Sequence, residues 1–187
     1  MKTFLRITFL LLFANTAFSQ ARFHADKSSM TLKGTSSLHD WKSDVLVDQM
    51  NVELHVEDAD SLILGHLRLN VPVKSIKSGK DIMDNKTYSA LKYKDFPTIS
   101  YEVEVFDYNN SEVIASDGKL KVAGEERSVP VRAVYNKENT SRLMTFKGSV
   151  SFKMSDFNIE PPTAMLGTLK TGDEITISYN ITLEFNL

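Results

Sequence analysis

The stretch Ile175-Thr176-Ile177-Ser178-Tyr179-Asn180-Ile181-Thr182-Leu183-Glu184-Phe185 alternates apolar and polar residues without a break. Successive side chains on an extended chain point to opposite faces, so this segment reads as a strand with one dry face and one wet face. A helix would scatter the same apolar residues around its circumference. The period of two recurs upstream. Val52, Leu54 and Val56 alternate with Asn51, Glu53, His55 and Glu57. From Ile63 onward, Leu67, Leu69, Val71 and Val73 share one face, and His66, Arg68 and Asn70 the other. Ile99, Tyr101, Val103 and Val105 alternate with Thr98, Ser100, Glu102 and Glu104. Further strands are predicted around Met30–Gly34, Ser43–Val47, Glu112–Ala115, Lys119–Ala123, Ser128–Tyr135 and Leu143–Met154. Turn-forming stretches separate them: Asp107-Tyr108-Asn109-Asn110, Asp117-Gly118, Gly124-Glu125-Glu126, Asn136–Ser141 and Thr171-Gly172-Asp173.

One segment departs from this period. Lys80–Lys94 carries Ile82, Met83, Tyr88, Leu91 and Tyr93 at mixed helical spacing, with Asp81 placed to cap its start and Asp95-Phe96-Pro97 to end it. A short helix between two strands, packed on a barrel end, is the expectation. Pro161-Pro162 and Gly167 mark a loop before the last strand. Several strands exceed the usual length of about five or six residues. Long amphipathic strands with short turns favour a closed antiparallel barrel, which leaves no edge to aggregate. A two-sheet sandwich is the competing all-β architecture.

The N-terminus reads as a secretion leader. Lys2 and Arg6 precede an apolar run from Ile7 to Phe13, and Ala17-Phe18-Ser19 supplies a small-x-small cleavage site. The run is shorter than the roughly 20 apolar residues a membrane span requires. Residues 1–19 are therefore expected to be removed, leaving 20–187 as one domain with a sizeable core, released as a soluble periplasmic or secreted species. Cysteine is absent. That excludes disulfides, thiol nucleophiles, thiolate metal sites and a cysteine-linked lipid anchor. The net charge of −2, from 22 basic and 24 acidic residues, offers no electrostatic attraction for nucleic acid. No repeat or low-complexity tract breaks the domain.

The densest cluster of distinctive residues is Ser37-Leu38-His39-Asp40-Trp41, which holds the only tryptophan. Adjacency argues against a Ser/His/Asp triad, whose members converge from separated positions, and no G-x-S-x-G elbow is present. The structural reading has Trp41 plugging the core while His39 and Asp40 hydrogen-bond loop backbone; direct ligand contact is the alternative. The histidines form no HExxH or HxH pattern, and His55 and His66 fall on polar strand faces, so no metal site is expected. Asp58/Asp60 and Glu125/Glu126 read as solvated surface. Asn-x-Ser/Thr triplets begin at Asn85, Asn109, Asn139 and Asn180 and carry little weight. The barrel interior remains. Tightly packed, it is only a core; if wide, it is a cavity for a long apolar ligand. Leu67 and Leu69 fit a lining by alternation. Met144, Phe146, Phe152 and Met154 share one strand face, and Tyr101, Met165 and Tyr179 add adaptable or flat groups.

Taken together, these residues resemble the YceI-like family of exported bacterial proteins with a lipocalin-like fold. The resemblance starts at Gly34-Thr35-Ser36-Ser37-Leu38-His39-Asp40-Trp41 and continues through Val71-Pro72-Val73, Ser75-Ile76, Met83-Asp84-Asn85-Lys86 and Ala90-Leu91-Lys92. It resumes at Phe96-Pro97-Thr98-Ile99, Phe157-Asn158-Ile159, Pro161-Pro162-Thr163 and Gly172-Asp173-Glu174-Ile175-Thr176-Ile177. It implies a lipocalin-like antiparallel β-barrel that holds a polyisoprenoid or similar amphiphilic lipid in the periplasm, for binding or transport without turnover and without a cofactor. By the same resemblance, His39 and Asp40 are the candidates for the ligand's head region. The competing expectation is a non-catalytic envelope-stress or interaction module with a filled barrel; a hydrolase or metal enzyme using His39 and Asp40 ranks last.

Overall fold

The computed structural model describes residues 19–56, 64–105, 107–109, 112–115, 117–137, 142–164 and 167–185. Residues 1–18 of the expected leader, Asp58/Asp60 and Met165 lie outside them. Two short strands, β1 (Ser19–Gln20) and β2 (Arg22–Phe23), precede β3 (Ser29–Ser36), β4 (Trp41–Val45), β5 (Asn51–Val56), β6 (Leu64–Pro72) and β7 (Ile76–Lys77). The helix α1 (Asp81–Ala90) follows, then β8 (Thr98–Val105), β9 (Asp107–Asn109), β10 (Glu112–Ala115), β11 (Lys119–Val122) and β12 (Glu125–Ser128). The order ends with β13 (Val131–Lys137), β14 (Leu143–Lys153), β15 (Thr163–Ala164) and β16 (Leu169–Glu184).

The fold is all-β and antiparallel with one short α-helix between strands. The uninterrupted alternating stretch lies in β16, which pairs with β14 in unbroken register from Leu143↔Glu184 to Lys153↔Glu174. One sheet of six strands runs β1-β5-β6-β8-β11-β12. The other, of ten, follows the path β7-β4-β3-β16-β14-β13-β10-β9, with β2 and β15 also paired to β16. Among the described residues the ladders form two facing sheets and do not close into one ring. The N-terminal segment stitches them together: β1 pairs with β5, β2 pairs with β16, and the Ala21 N–H between them donates to Leu54 O at 3.1 Å.

Local chemistry explains the element ends. Ala123 and Gly124 both hold positive φ, 52° and 89°, as a two-residue β11–β12 hairpin turn requires. The expected strand Ser128–Tyr135 is split, because Pro130 lacks the N–H for a ladder bond; Ser128 ends β12 and Val131 opens β13. Thr171-Gly172-Asp173, expected as a turn, lies inside β16 as an irregularity: Thr171 faces Ser36 and Ile175 faces Gly34, leaving extra residues on one strand. The helix also starts differently from expectation. Lys80 holds the cap position without a side-chain bond, and Asp81 is already helical. The anchoring acid is Asp84, buried and accepting from both the Ser78 amide (2.8 Å) and the Ser78 hydroxyl (2.6 Å). Burial opposes its charge, but those two bonds and the Lys77 ammonium outweigh it and hold the carboxyl below the usual range.

The side chains sealed most completely include Phe157 and Phe185. Phe157 follows β14 and Phe185 follows β16, so antiparallel pairing sets them at opposite ends of the ladder. Phe157 meets Phe152 edge-on at 5.2 Å. Between those ends, Gly148 faces Tyr179 across the ladder, and the tyrosine ring occupies the space a Cβ would fill. Gly148→Ala would drive a methyl into the Tyr179 hydroxyl and the Arg132 carbonyl. Since the backbone carbonyl cannot yield cheaply, urea denaturation should show a stability loss of about 1–3 kcal/mol; an unchanged midpoint would show that the ladder relaxes freely.

Candidate ligand cavity

Alternation turns the dry faces of both sheets toward one another, and they enclose a cavity of about 190 Å³. The six-stranded sheet contributes Val52 and Leu54 from β5, Leu67, Leu69 and Val71 from β6, Ile99 and Tyr101 from β8, and Leu120 from β11. Facing them are Met30 from β3, Val113 and Ala115 from β10, Val131 and Ala133 from β13, and Phe146, Val150 and Phe152 from β14. Ile177, Tyr179, Ile181 and Leu183 from β16 and Val129 complete the wall. From Ile177 to Leu183 the lining follows one strand for roughly 20 Å, at about 3.3 Å per residue. The space is long for its volume, which falls below the roughly 300–1,000 Å³ of pockets that hold drug-sized molecules. Such a shape suits a slender chain better than a bulky ring system.

Among the described residues, only the two tyrosines bring side-chain polar atoms to this wall, and both hydroxyls are engaged. Tyr101 donates to Val129 O at 3.2 Å, and Tyr179 donates to Arg132 O at 2.8 Å. Gly118 leaves room for the Tyr101 ring as Gly148 does for Tyr179. Each ring adds apolar surface while its oxygen is tied back to the protein. Burial pushes the Tyr179 phenol up to about 12. Tyr101 rises further, chiefly by burial, with Tyr179 and Asp117 adding to it. Among the described residues no charged side chain lines the cavity.

The structure brings Leu67, Leu69, Tyr101, Phe146, Phe152 and Tyr179 together on this wall, as alternation suggested. Met144 shares the inward parity but is buried beyond the lining, opposite Leu183. Met154 likewise belongs to the packed core. His39, Asp40 and Trp41 are not brought to the cavity. Trp41 packs against the edge of the core rather than within it: it is half-buried, stands over Gly34, its cross-strand neighbour, and donates from Nε1 to Thr35 O at 3.1 Å. A side chain on Gly34 would collide with that indole. His39 and Asp40 are exposed, and His39 Nδ1 lies 2.9 Å from Asp40 O. The Ser36 hydroxyl donates to His39 O at 2.6 Å and accepts from the His39 amide, closing the β3–β4 connection. These contacts hold a hairpin and leave no aligned nucleophile and base. The remaining aliphatic wall, from Val52 to Leu183, has the same inward parity as Leu67 and Leu69, which is the signal in the sequence that marks it.

The raised phenols set an alkaline limit on stability. A group whose folded value exceeds its ordinary value near 10 keeps its proton longer in the folded state, so the unfolded chain binds fewer protons above that pH. Stability is therefore complete at neutral pH and should fall as the pH rises from about 10 toward 12. An ultraviolet tyrosinate titration should find two of the tyrosines resisting ionisation until the fold opens; all tyrosines titrating together near 10 would contradict the placement of Tyr101 and Tyr179.

The description of a YceI-like domain matches residues 13–183 of this chain. Burkholderia cenocepacia BcnA is similar in structure, with a TM-score of 0.72 and 15% identity over 86% of this chain and 99% of that one. A polyisoprenoid binding domain from Saccharophagus degradans, implicated in plant cell wall breakdown, gives 0.65 and 12% over 92% and 100% of the two chains. The Campylobacter jejuni YCEI protein gives 0.61 and 14% over 100% and 94%. No curated protein matches the chain significantly. At these identities the structural likeness concerns the fold, and the family rests on the domain match, which covers the two sheets, the helix and nearly all of the cavity wall: the chain belongs to the YceI-like family.

Proposed function

We propose that this protein is an exported, non-catalytic carrier that holds the tail of an isoprenoid-type lipid between its two sheets, for transport or storage in the periplasm. The observation that carries this reading is the wall chemistry. A long cavity whose described lining is apolar, and whose two hydroxyls already donate to backbone carbonyls, rewards burial of hydrocarbon and offers a polar head little to replace its water. The head then stays outside. Membership of the YceI-like family and the described ligand class of the Saccharophagus degradans domain support the choice of an isoprenoid tail over other apolar chains. Export rests on the Lys2–Ser19 leader pattern.

The full chain, leader included, should be expressed in a bacterium and recovered from the periplasm under native conditions. N-terminal sequencing should begin at Gln20 or Ala21. Native mass spectrometry should show an added mass, and solvent extraction should release a prenyl lipid. Ala133 lines the cavity at a buried position, so Ala133→Trp fills the space from within and should reduce the bound lipid several-fold while circular dichroism stays β-rich. An empty protein that also refuses an added prenyl alcohol would favour the filled-barrel interaction module instead.

A further inference from the structure

The four histidines are scattered in sequence, and two of them are brought together by the fold. His55 on β5 and His66 on β6 are direct cross-strand partners in an antiparallel ladder. Val52, Leu54, Leu67 and Leu69 turn into the cavity, and the β5–β6 register runs unbroken through His55 and His66, although β6 is irregular against β8 between Leu64 and Leu67, so both imidazoles fall on the opposite, outer face of the pair. Directly opposed residues have Cβ atoms about 4.5–5.5 Å apart. That spacing lets two imidazole nitrogens converge on one ion at the usual zinc–nitrogen distance of about 2.0–2.1 Å. Both rings are half-buried, and among the described residues neither has a hydrogen-bond or ion-pair partner. His24 and His39 differ, because His24 is held by Glu184 at 2.9 Å and His39 by Asp40 O.

The surroundings favour a cation. The outer face next to the pair carries Glu53 opposite Arg68, then Glu102 and Glu104 on β8, with Lys119 of β11 beyond Glu102, so three carboxylates stand against two cations and both cations flank Glu102. The Arg68 guanidinium is already neutralised by Glu102 at 2.9 Å. From this geometry we infer that His55 and His66 form a surface site for a late first-row divalent metal ion, copper(II) ahead of zinc(II). Imidazole nitrogen suits these ions, and their affinities for a common nitrogen site follow that order. Among the described residues no group of three or more histidines and carboxylates is arranged to hold a metal, so water completes the shell and the ion exchanges readily. The site clips β5 to β6 from outside, behind Leu54 and Leu67, and is independent of what the cavity holds.

The test is titration of the purified, exported protein with copper(II) and with zinc(II), followed by calorimetry and electron paramagnetic resonance. One equivalent of copper should bind in the micromolar range or tighter, with nitrogen hyperfine coupling from two imidazoles, and should raise the thermal midpoint. His55→Ala or His66→Ala should each weaken binding at least about tenfold, and the double substitution should abolish the rise. His24→Ala and His39→Ala should leave affinity unchanged. Both substituted histidines lie on an outer face, so an unchanged β-rich circular dichroism spectrum confirms that the variants fold. Copper binding that survives the double substitution, or no binding in the micromolar range by the native chain, overturns the site.

Discussion

The antiparallel pairing of β14 with β16 is the constraint from which the rest of the structure follows. Its register is continuous from Leu143↔Glu184 to Lys153↔Glu174, so backbone donors and acceptors along it are satisfied within the sheet. Its other face carries small hydroxyl and charged residues, with Ser151 and Thr176 exposed to solvent at 2.8 Å, and Thr145 and Thr182 at 3.1 Å where the N-terminal segment buries Thr182. Its dry face supplies Phe146, Val150, Phe152, Ile177, Tyr179, Ile181 and Leu183 to one wall of the cavity. A slip of one residue in this register would turn that wall to solvent. The alternating pattern therefore specifies pairing and cavity together.

A cavity persists because tight packing is concentrated beyond it. Phe157 and Phe185 seal opposite ends of the ladder, while the wall between them is built largely of Val, Ile, Leu and Ala, with rings drawn aside. Gly148 and Gly118 make that displacement feasible, since their missing side chains give Tyr179 and Tyr101 space against the wall. The hydroxyls then reach backbone carbonyls, and the surface left facing inward is hydrocarbon. Water gains little from such a surface, and an apolar chain gains its full burial.

The two sheets are held together at the start of the chain. β1 adds to one sheet and β2 to the other, and His24, immediately after β2, anchors the crossing. Its amide donates to Thr182 O at 3.0 Å, its ring nitrogen lies 2.9 Å from Glu184 Oε2, and the Ser28 hydroxyl donates to its carbonyl at 2.7 Å. The hydrogen bond from His24, with Arg22 and Arg142 nearby, holds the Glu184 carboxyl below its ordinary range. An N-terminal segment that could have frayed is instead fastened to the last strand.

The amino-acid sequence by itself determined the all-β class, most of the strands, the short helix, the dry parity and the family. A period of two is a local property, and each residue reports its face whatever it later meets. Beyond reach were the features made by contacts between distant residues. Trp41 looked like a core plug but lies over Gly34, because only the β3–β4 register places a residue without a side chain beneath the indole. Asp81 sat where a helix cap belongs, yet Asp84 does the anchoring, because the chain brings Ser78 beneath its carboxylate. His55 and His66 looked like unrelated surface residues until the β5–β6 ladder set them face to face. The cavity itself was decided at tertiary level. Alternation says which side chains are dry, but the spacing of two sheets and the rings moved aside by glycine decide whether the dry space is filled.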